Sequence, residues 1–246
     1  MNPADIAQQS YLRERLNPQP GDPIYLHLSD LLLGLRQFPF APTLRVLDYG
    51  CGGSPYRSLF AGSVYHRADF PGLPGLDFTF AEDSRLPAPD QSYDLILSTQ
   101  VLEHVREPAI YLNECHRLLR PGGTLLLTTH GSFPDHACPH DYQRWTADGL
   151  NLAVTKSGLP VRRICKLTTS GRALLYFAQQ YQETLLSGEF SWGGLCLRLL
   201  RLPFRWRRPA FDRFCDRQFA DCRVVPAATP GHHFYVALLI EGVRPE

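Results

Sequence analysis

The sequence predicts an α/β fold organised on a largely parallel sheet. Three observations carry that expectation. Short apolar strand patterns alternate with longer helical ones from Leu44 to about Leu167. The first strand runs into a glycine-rich turn, Gly50-Cys-Gly-Gly53, where the chain can bend sharply and a ligand can approach the backbone. A β-type run, His233 to Ile240, stands alone near the C-terminus, too far from the other strands to be a simple hairpin partner.

Taken in order, residues 1–40 hold helical patterns broken by Asn17-Pro18, Pro20-Gly21 and Pro39. Ile24, Leu28, Leu31, Leu32 and Leu35 recur there at helical spacing, so this stretch reads as an N-terminal helical cap on a domain spanning 41–246. Strands are predicted at Leu44–Asp48, Val64–Asp69, Tyr93–Ser98, Gly123–Thr128 and Val161–Cys165. A helix between the third and fourth begins near Pro108 and turns Ile110, Leu112, Cys115, Leu118 and Leu119 to one side. Pro121-Gly122-Gly123 is expected to end it. Residues 171–230 are less regular and read as an arginine-rich helical insertion or lid.

Composition narrows the function classes. The 246 residues suit about one to two domains. With 44% hydrophobic and 20% charged residues the chain has material for a core, which excludes disorder as its main state. The net charge of +1 excludes a general coat for nucleic acid, which needs a basic excess to neutralise phosphates. Cysteines at 51, 115, 138, 165, 196, 215 and 222 are odd in number and contain no C-x-x-C pair, unlike a disulfide framework. The N-terminus lacks the basic and apolar regions of a signal peptide. No uncharged apolar run approaches the ~18 residues of a membrane span. A cytoplasmic protein is expected. Only Lys156 and Lys166 are lysines, so nearly all cations are arginine. Seven arginines lie between Cys196 and Arg217, against Asp212 and Asp216. Arg198, Arg201, Arg205 and Arg208 recur at helical spacing beside Leu195, Leu199, Leu202 and Phe204. Such a basic amphipathic stretch suits either the solvated face of a lid or peripheral contact with anionic lipid at the inner face of a membrane. No aromatic nucleic-acid-binding strand accompanies it.

The glycine loop supplies the sharpest chemical signal. It is not a Walker loop, because no Gly-Lys-Ser/Thr follows. It fits the dinucleotide pattern G-x-G-x-x-G poorly, because Pro55 occupies the position after the last variable residue. Asp48, just before the glycines, would repel a pyrophosphate and suits a ligand bearing a cationic amine. Asp69 closes the next strand, where a carboxylate at the strand's C-terminal edge can accept from a ribose diol.

These residues carry a family resemblance. Val46-Leu-Asp-Tyr-Gly-Cys-Gly52 resembles motif I of the class I S-adenosylmethionine-dependent methyltransferases. Leu86-Pro-Ala-Pro-Asp-Gln-Ser-Tyr-Asp94, Leu97-Ser-Thr-Gln-Val-Leu-Glu-His-Val105 and Arg117-Leu-Leu-Arg-Pro-Gly-Gly-Thr-Leu-Leu126 match in order. The resemblance is closest to the bacterial UbiE/type-11-like branch. It implies a Rossmann-like seven-stranded doubly wound sheet, with His233–Ile240 inserted antiparallel as the last strand. It implies that the backbone of Gly50, Cys51 and Gly52 holds the methionyl end of S-adenosylmethionine, with Asp48 near its amino group. Asp69 would take the ribose hydroxyls, Glu82 or Asp83 the adenine amine, and Thr99 and Gln100 would border the sulfonium. Ser54 departs from the pattern, standing where many relatives carry glycine.

The acceptor is expected beside the stretch Thr129–Thr146, which follows the fourth motif strand. Three histidines, two aspartates, Arg144 and Trp145 lie between 130 and 146, too polar a set for core. His140-Asp141 could supply a base and its orienting partner, and His104 competes as the base. His130, His136, Tyr142, Arg144 and Trp145 are expected to line the acceptor site. The alternative is that Asp141 to Thr146 cap a helix starting near Ala147. His136-Ala-Cys-Pro-His140 lacks the spacing of a structural zinc site, so no metal is expected. The reading is methyl transfer from S-adenosylmethionine to a small-molecule or glycan-type acceptor, at a hydroxyl oxygen. The alternatives are a non-catalytic S-adenosylmethionine-binding module and a dinucleotide-dependent oxidoreductase.

Overall fold

The computed structural model describes residues 3–39, 41–80, 85–138, 140–185 and 207–246. Helices α1 (Pro3–Leu16) and α2 (Tyr25–Arg36) precede β1 (Arg45–Tyr49), β2 (Val64–Asp69), β3 (Phe78–Thr79) and β4 (Tyr93–Thr99). Then follow α3 (Pro108–Leu118), β5 (Leu119–His130), α4 (Ala147–Lys156), β6 (Val161–Thr169) and α5 (Ser170–Leu185). A helix α6 covers 207–218, and β7 (Val224–Pro226) and β8 (Tyr235–Val243) complete the chain.

One sheet of eight strands has the order β3-β2-β1-β4-β5-β8-β6-β7. Strands β1 to β5 run parallel to one another, and β8 inserts antiparallel between β5 and β6. The isolated β run thus finds its partners across the sheet, as expected. Two short strands escaped the sequence pattern. β3 has two residues and β7 three, too few for a period of two to register; β7 adds an eighth strand at the edge beyond β6.

Successive residues of the central strands bury opposite faces. Leu47, Ile96, Leu125 and Leu127 pack with Tyr111, Leu112, Cys115 and Leu118 of α3 and with Leu150 and Val154 of α4. Val46, Leu95, Leu97 and Leu126 pack on the other side with Leu31, Leu32 and Leu35 of α2. Of the expected N-terminal cap, α2 therefore forms part of the layer covering one sheet face. Each fully buried leucine in these clusters is worth about 1.5–3 kcal/mol of transfer free energy.

Helix α3 ends at Leu118, before the expected Pro-Gly stop. Pro121, Gly122 and Gly123 instead form an irregularity in β5, where pairing with β4 jumps from Tyr93↔Leu119 to Leu95↔Thr124. Gly122 has φ +74° and donates its N–H to the Arg244 carbonyl at 2.9 Å. Thr146 caps α4, its hydroxyl accepting from the Gly149 N–H at 3.1 Å.

Asp30, Arg172, Arg223 and Asp216 tie α2, α5 and α6 together. Asp30 accepts from Arg172 Nε at 2.7 Å and Arg223 Nε at 2.7 Å, and Arg172 and Asp30 are both fully buried. Arg172 Nη2 also meets Asp216 at 2.9 Å. On α6, Asp212 faces inward to accept from Gly21 N–H and Gln179, while Arg207, Arg213 and Arg217 are exposed. Arg198, Arg201 and Arg205 of the expected basic stretch lie outside the described residues. Among the described residues, no helix is long and apolar enough to cross a membrane.

Candidate active site

The parallel strands β1, β2, β4 and β5 end along one edge, and the loops that follow them assemble the site there. Such an edge collects ligand contacts where strand order reverses, here between β1 and β4.

The glycine loop is built on β2. Gly50 and Cys51 both donate their N–H to the Ala68 carbonyl, at 2.9 and 3.1 Å. Gly52 donates to Asp69 Oδ2 at 2.6 Å, and Asp69 Oδ1 accepts from Phe70 N–H at 2.7 Å. Asp69 therefore shapes the loop as well as presenting a carboxylate at its rim. Gly50 has φ +80°, and a Cβ there would meet the methyls of Val101 at 2.6 and 2.7 Å. Only glycine meets both conditions.

Ser54 takes a left-handed conformation, φ +51°, at a cost of order 1–2 kcal/mol for a residue with a Cβ. Its hydroxyl accepts from Arg67 Nε at 2.7 Å, and Arg67 also reaches the Gly52 carbonyl at 3.2 Å. The loop thus keeps a glycine-like shape at Ser54 and fastens it with an arginine.

Asp48 is buried beneath this loop and accepts from the Tyr65 hydroxyl at 2.6 Å. Burial pushes its carboxyl up to about 6, against the lowering effect of the Tyr65 and Ser54 hydroxyls. Burial likewise raises the Cys51 thiol to about 11, so Cys51 does not supply a thiolate.

Past β4, Thr99 and Gln100 are half-buried at the same edge. Gln100 has φ +56°, donates its N–H to the Thr128 carbonyl at 2.9 Å and its side-chain amide to the Thr128 hydroxyl at 3.2 Å. Glu82 and Asp83 lie outside the described residues.

The loop after β5 folds back onto the short turn Leu102–His104 that follows β4. Tyr142 and Gln143 donate their N–H groups to the Glu103 carbonyl at 2.8 and 3.3 Å. His104 Nδ1 lies 2.6 Å from the His140 carbonyl. A carbonyl can only accept, so Nδ1 carries a proton, and Nε2 lies 4.0 Å from Glu103 Oε1.

Glu103 is fully buried, with Oε2 accepting from the Thr129 hydroxyl at 2.7 Å and Oε1 at 3.0 Å from His130 Nε2. Burial raises its carboxyl, but contact with His130 and the Thr129 hydroxyl outweighs burial and holds it below the usual value. His130 stacks on Phe133 at 3.7 Å between ring centroids. His136 joins the cluster with its ring centroid 5.0 Å from that of His130, and His104 lies 4.8 Å from His136. Burial, then the neighbouring His130 and His104, lower His136. His27 of α2 completes the row 5.8 Å from His130, pushed down to about 3 by burial.

The expected His140–Asp141 pair is replaced by another arrangement. Asp141 grips Arg144 through two bonds of 2.5 and 2.6 Å and accepts from His136 N–H at 2.9 Å. The strong two-point guanidinium contact wins the carboxylate and holds it well below its ordinary range. Arg144 is otherwise turned to the Phe133 and Pro134 carbonyls of its own loop. Trp145 packs against the hydrophobic core and donates its backbone N–H to His130, whereas Tyr142 is exposed beside His140.

Three residues here had no role in the sequence reading. Glu103 lies in a quoted motif, but nothing in the pattern marks its burial. His27 shares the apolar spacing of α2. Tyr11 of α1 lies over the glycine loop, its hydroxyl 3.4 Å from where a Gly52 Cβ would stand, with Arg15 3.7 Å above its ring. No local signal links residues 11 and 52.

Comparison with known proteins agrees with this geometry. Residues 24–155, more than half of the chain, match a sequence family described as a methyltransferase domain. The chain is 32% identical over 137 residues to a ubiquinone biosynthesis O-methyltransferase of Parvibaculum lavamentivorans, covering 49% of each chain. It spans about half the length of the curated relatives it matches. In fold it is similar to a Haemonchus contortus phosphoethanolamine N-methyltransferase bound to phosphomonomethylethanolamine and S-adenosylhomocysteine. That match has a TM-score of 0.53 at 15% identity, covering 99% of this chain and 58% of the other. A Mesorhizobium loti S-adenosylmethionine-dependent methyltransferase gives a TM-score of 0.52 at 15% identity, covering 87% of this chain and 98% of the other.

Proposed function

Because the chain belongs to the methyltransferase-domain family of class I S-adenosylmethionine-dependent enzymes, we propose that it methylates a hydroxyl oxygen of a small-molecule or glycan-type acceptor. One observation carries the reading. The glycine loop with Asp69 and the Glu103–His104 turn with its histidines occupy the same edge of the sheet, on adjacent strands β1 and β4.

The residues present fit the cofactor. The Gly50–Gly52 backbone approaches without side chains, Asp69 offers a carboxylate to a diol, and buried Asp48 suits an ammonium. Gln100 stands half-buried at the end of β4, on the same edge. S-adenosylmethionine supplies an already activated methyl group on a sulfonium.

The chain's own task is then to align the acceptor and take a proton from it. His104 suits the second role, since the His140 carbonyl fixes the proton on Nδ1 and leaves Nε2 to accept. Phe133, stacked on His130, offers an apolar wall to the acceptor. O-methylation is also what the name of the Parvibaculum lavamentivorans relative states for that protein. Contact of the arginine-rich region with anionic membrane is a further expectation, checked by vesicle co-sedimentation at low and high salt.

The test is methyl transfer from labelled S-adenosylmethionine to panels of phenols, catechols and sugars, with matched amines, read by mass spectrometry. Label on hydroxylated acceptors, reduced in His104→Ala, supports the reading. Transfer confined to amines, or none with S-adenosylhomocysteine bound, overturns it.

A further inference from the structure

The polar cluster beside the proposed acceptor site has a composition that proton transfer alone does not need. One ligand-type atom from each of Glu103, His130 and His136 lies within 4.8 Å of the others. Glu103 and His130 are buried and His136 is half-buried, so the cluster is closed behind and open in front. Glu103 Oε1 and His130 Nε2 stand 3.0 Å apart, a buried contact in the absence of an ion. A carboxylate oxygen and an imidazole nitrogen at that separation are also spaced as adjacent ligands of one ion.

We propose that Glu103, His130 and His136 bind a single divalent transition-metal ion, with at least one position left for the acceptor oxygen or water. A carboxylate with two imidazoles is a borderline donor set that suits zinc, cobalt, iron or manganese better than calcium. Tetrahedral ligands at ~2.1 Å lie about 3.4 Å apart. Separations of up to 4.8 Å thus ask for closure of at most about 1.4 Å.

Surrounding groups hold the donors as outer partners of a metal site do. The Thr129 hydroxyl fixes the second oxygen of Glu103. Asp141, locked by Arg144, stands 3.6 Å from His136 Nδ1 and keeps a carboxylate beside the ring. The sequence expectation of no metal rested on the spacing of His136, Cys138 and His140, with His130 as a fourth ligand. The fold keeps His130 and His136 together and brings Glu103 to them from the turn after β4. Lewis-acid assistance to a hydroxyl would follow, and that role alone rests on the methyl-transfer reading.

The test uses the full chain, freed of any affinity tag and of metal. Co2+ is titrated and followed by its visible d–d absorption, with Zn2+ competition and metal analysis after desalting. The expected result is one equivalent per chain, with Zn2+ displacing Co2+ and raising the thermal midpoint. Glu103→Gln and His136→Ala should each weaken binding more than about a hundredfold, while Cys138→Ser leaves it unchanged. His136 is half-buried, so its variant keeps a folded control if Glu103→Gln does not fold. No stoichiometric metal on the folded chain, full binding by His136→Ala, or loss in Cys138→Ser overturns the proposal. S-adenosylhomocysteine is titrated on the same samples. Binding of it without metal removes only the metal site, and metal without it removes only the methyl-transfer reading.

Discussion

Replacing Asp69 with alanine separates the two jobs assigned to that carboxylate. One is internal, since Asp69 accepts from Gly52 N–H at 2.6 Å and Phe70 N–H at 2.7 Å. The other is the expected hold on the ribose diol. Hydrogen bonds to a charged acceptor contribute about 1.5–3 kcal/mol each when buried. Because Asp69 is half-buried, its two backbone bonds should together contribute about 1–2 kcal/mol to unfolding. The diol contact should add about 2–3 kcal/mol to ligand binding, a loss of about 30- to 150-fold in affinity for S-adenosylhomocysteine. Urea unfolding reads the first quantity and calorimetric titration the second. A 2′,3′-dideoxy analogue of the ligand closes the cycle. It should bind weakly to the parent and lose little more in Asp69→Ala. If Asp69→Ala stays folded and binds S-adenosylhomocysteine within about threefold of the parent, a change of under about 0.7 kcal/mol, the assignment of the ribose to Asp69 fails.

Gly50→Ala should destabilise by about 2–5 kcal/mol, combining left-handed strain with the Val101 clash, and should abolish ligand binding. Adding Val101→Ala should restore only the steric share, and a change under about 0.5 kcal/mol for Gly50→Ala in urea unfolding would contradict the geometry. Asp48, raised to about 6, predicts two opposite pH trends. The folded chain holds a proton that the unfolded chain has lost, so this group's contribution to stability falls as pH rises from about 4 to about 6 and is level above. A cationic amine beside it favours the carboxylate, so ligand affinity rises over that interval and binding releases a proton. Calorimetry in buffers of different ionisation enthalpy reads that proton, and its absence at pH 5.5 would refute the placement of the amine near Asp48. Arg172→Leu leaves Asp30 short of its fully buried partner and should cost about 3–5 kcal/mol in urea unfolding. A loss under about 1 kcal/mol would show that Arg223 and the Thr168 hydroxyl together satisfy Asp30.

The parts legible in the sequence are those whose signal is local. β2, Val64–Asp69, is bounded by Val64-Tyr65 at its start and Asp69 at its end, and β8 is legible as an isolated strand although its partners are not. The glycine loop followed from residue type, since φ +80° at Gly50 is open to little else. β3 and β7 were invisible because two or three residues have no periodicity. The acceptor side was legible as polar, but its wiring was not. Asp141 chooses Arg144 over His140, and Glu103 meets His130 and His136, because the loop after β5 folds back onto the turn after β4. Tyr11 reaches Gly52 only through the packing of α1, which no spacing encodes.

In the proposed enzyme one cleft at the C-terminal edge of β1, β2 and β4 holds the cofactor against the Glu103–His104 turn. A crystal structure of the chain with S-adenosylhomocysteine tests it most directly. The predicted result is the ribose on Asp69, the homocysteine moiety along Gly50–Gly52, and the sulfur facing Gln100 and the histidine cluster. Ligand density elsewhere on the sheet, or a sulfur turned away from His104, would contradict it.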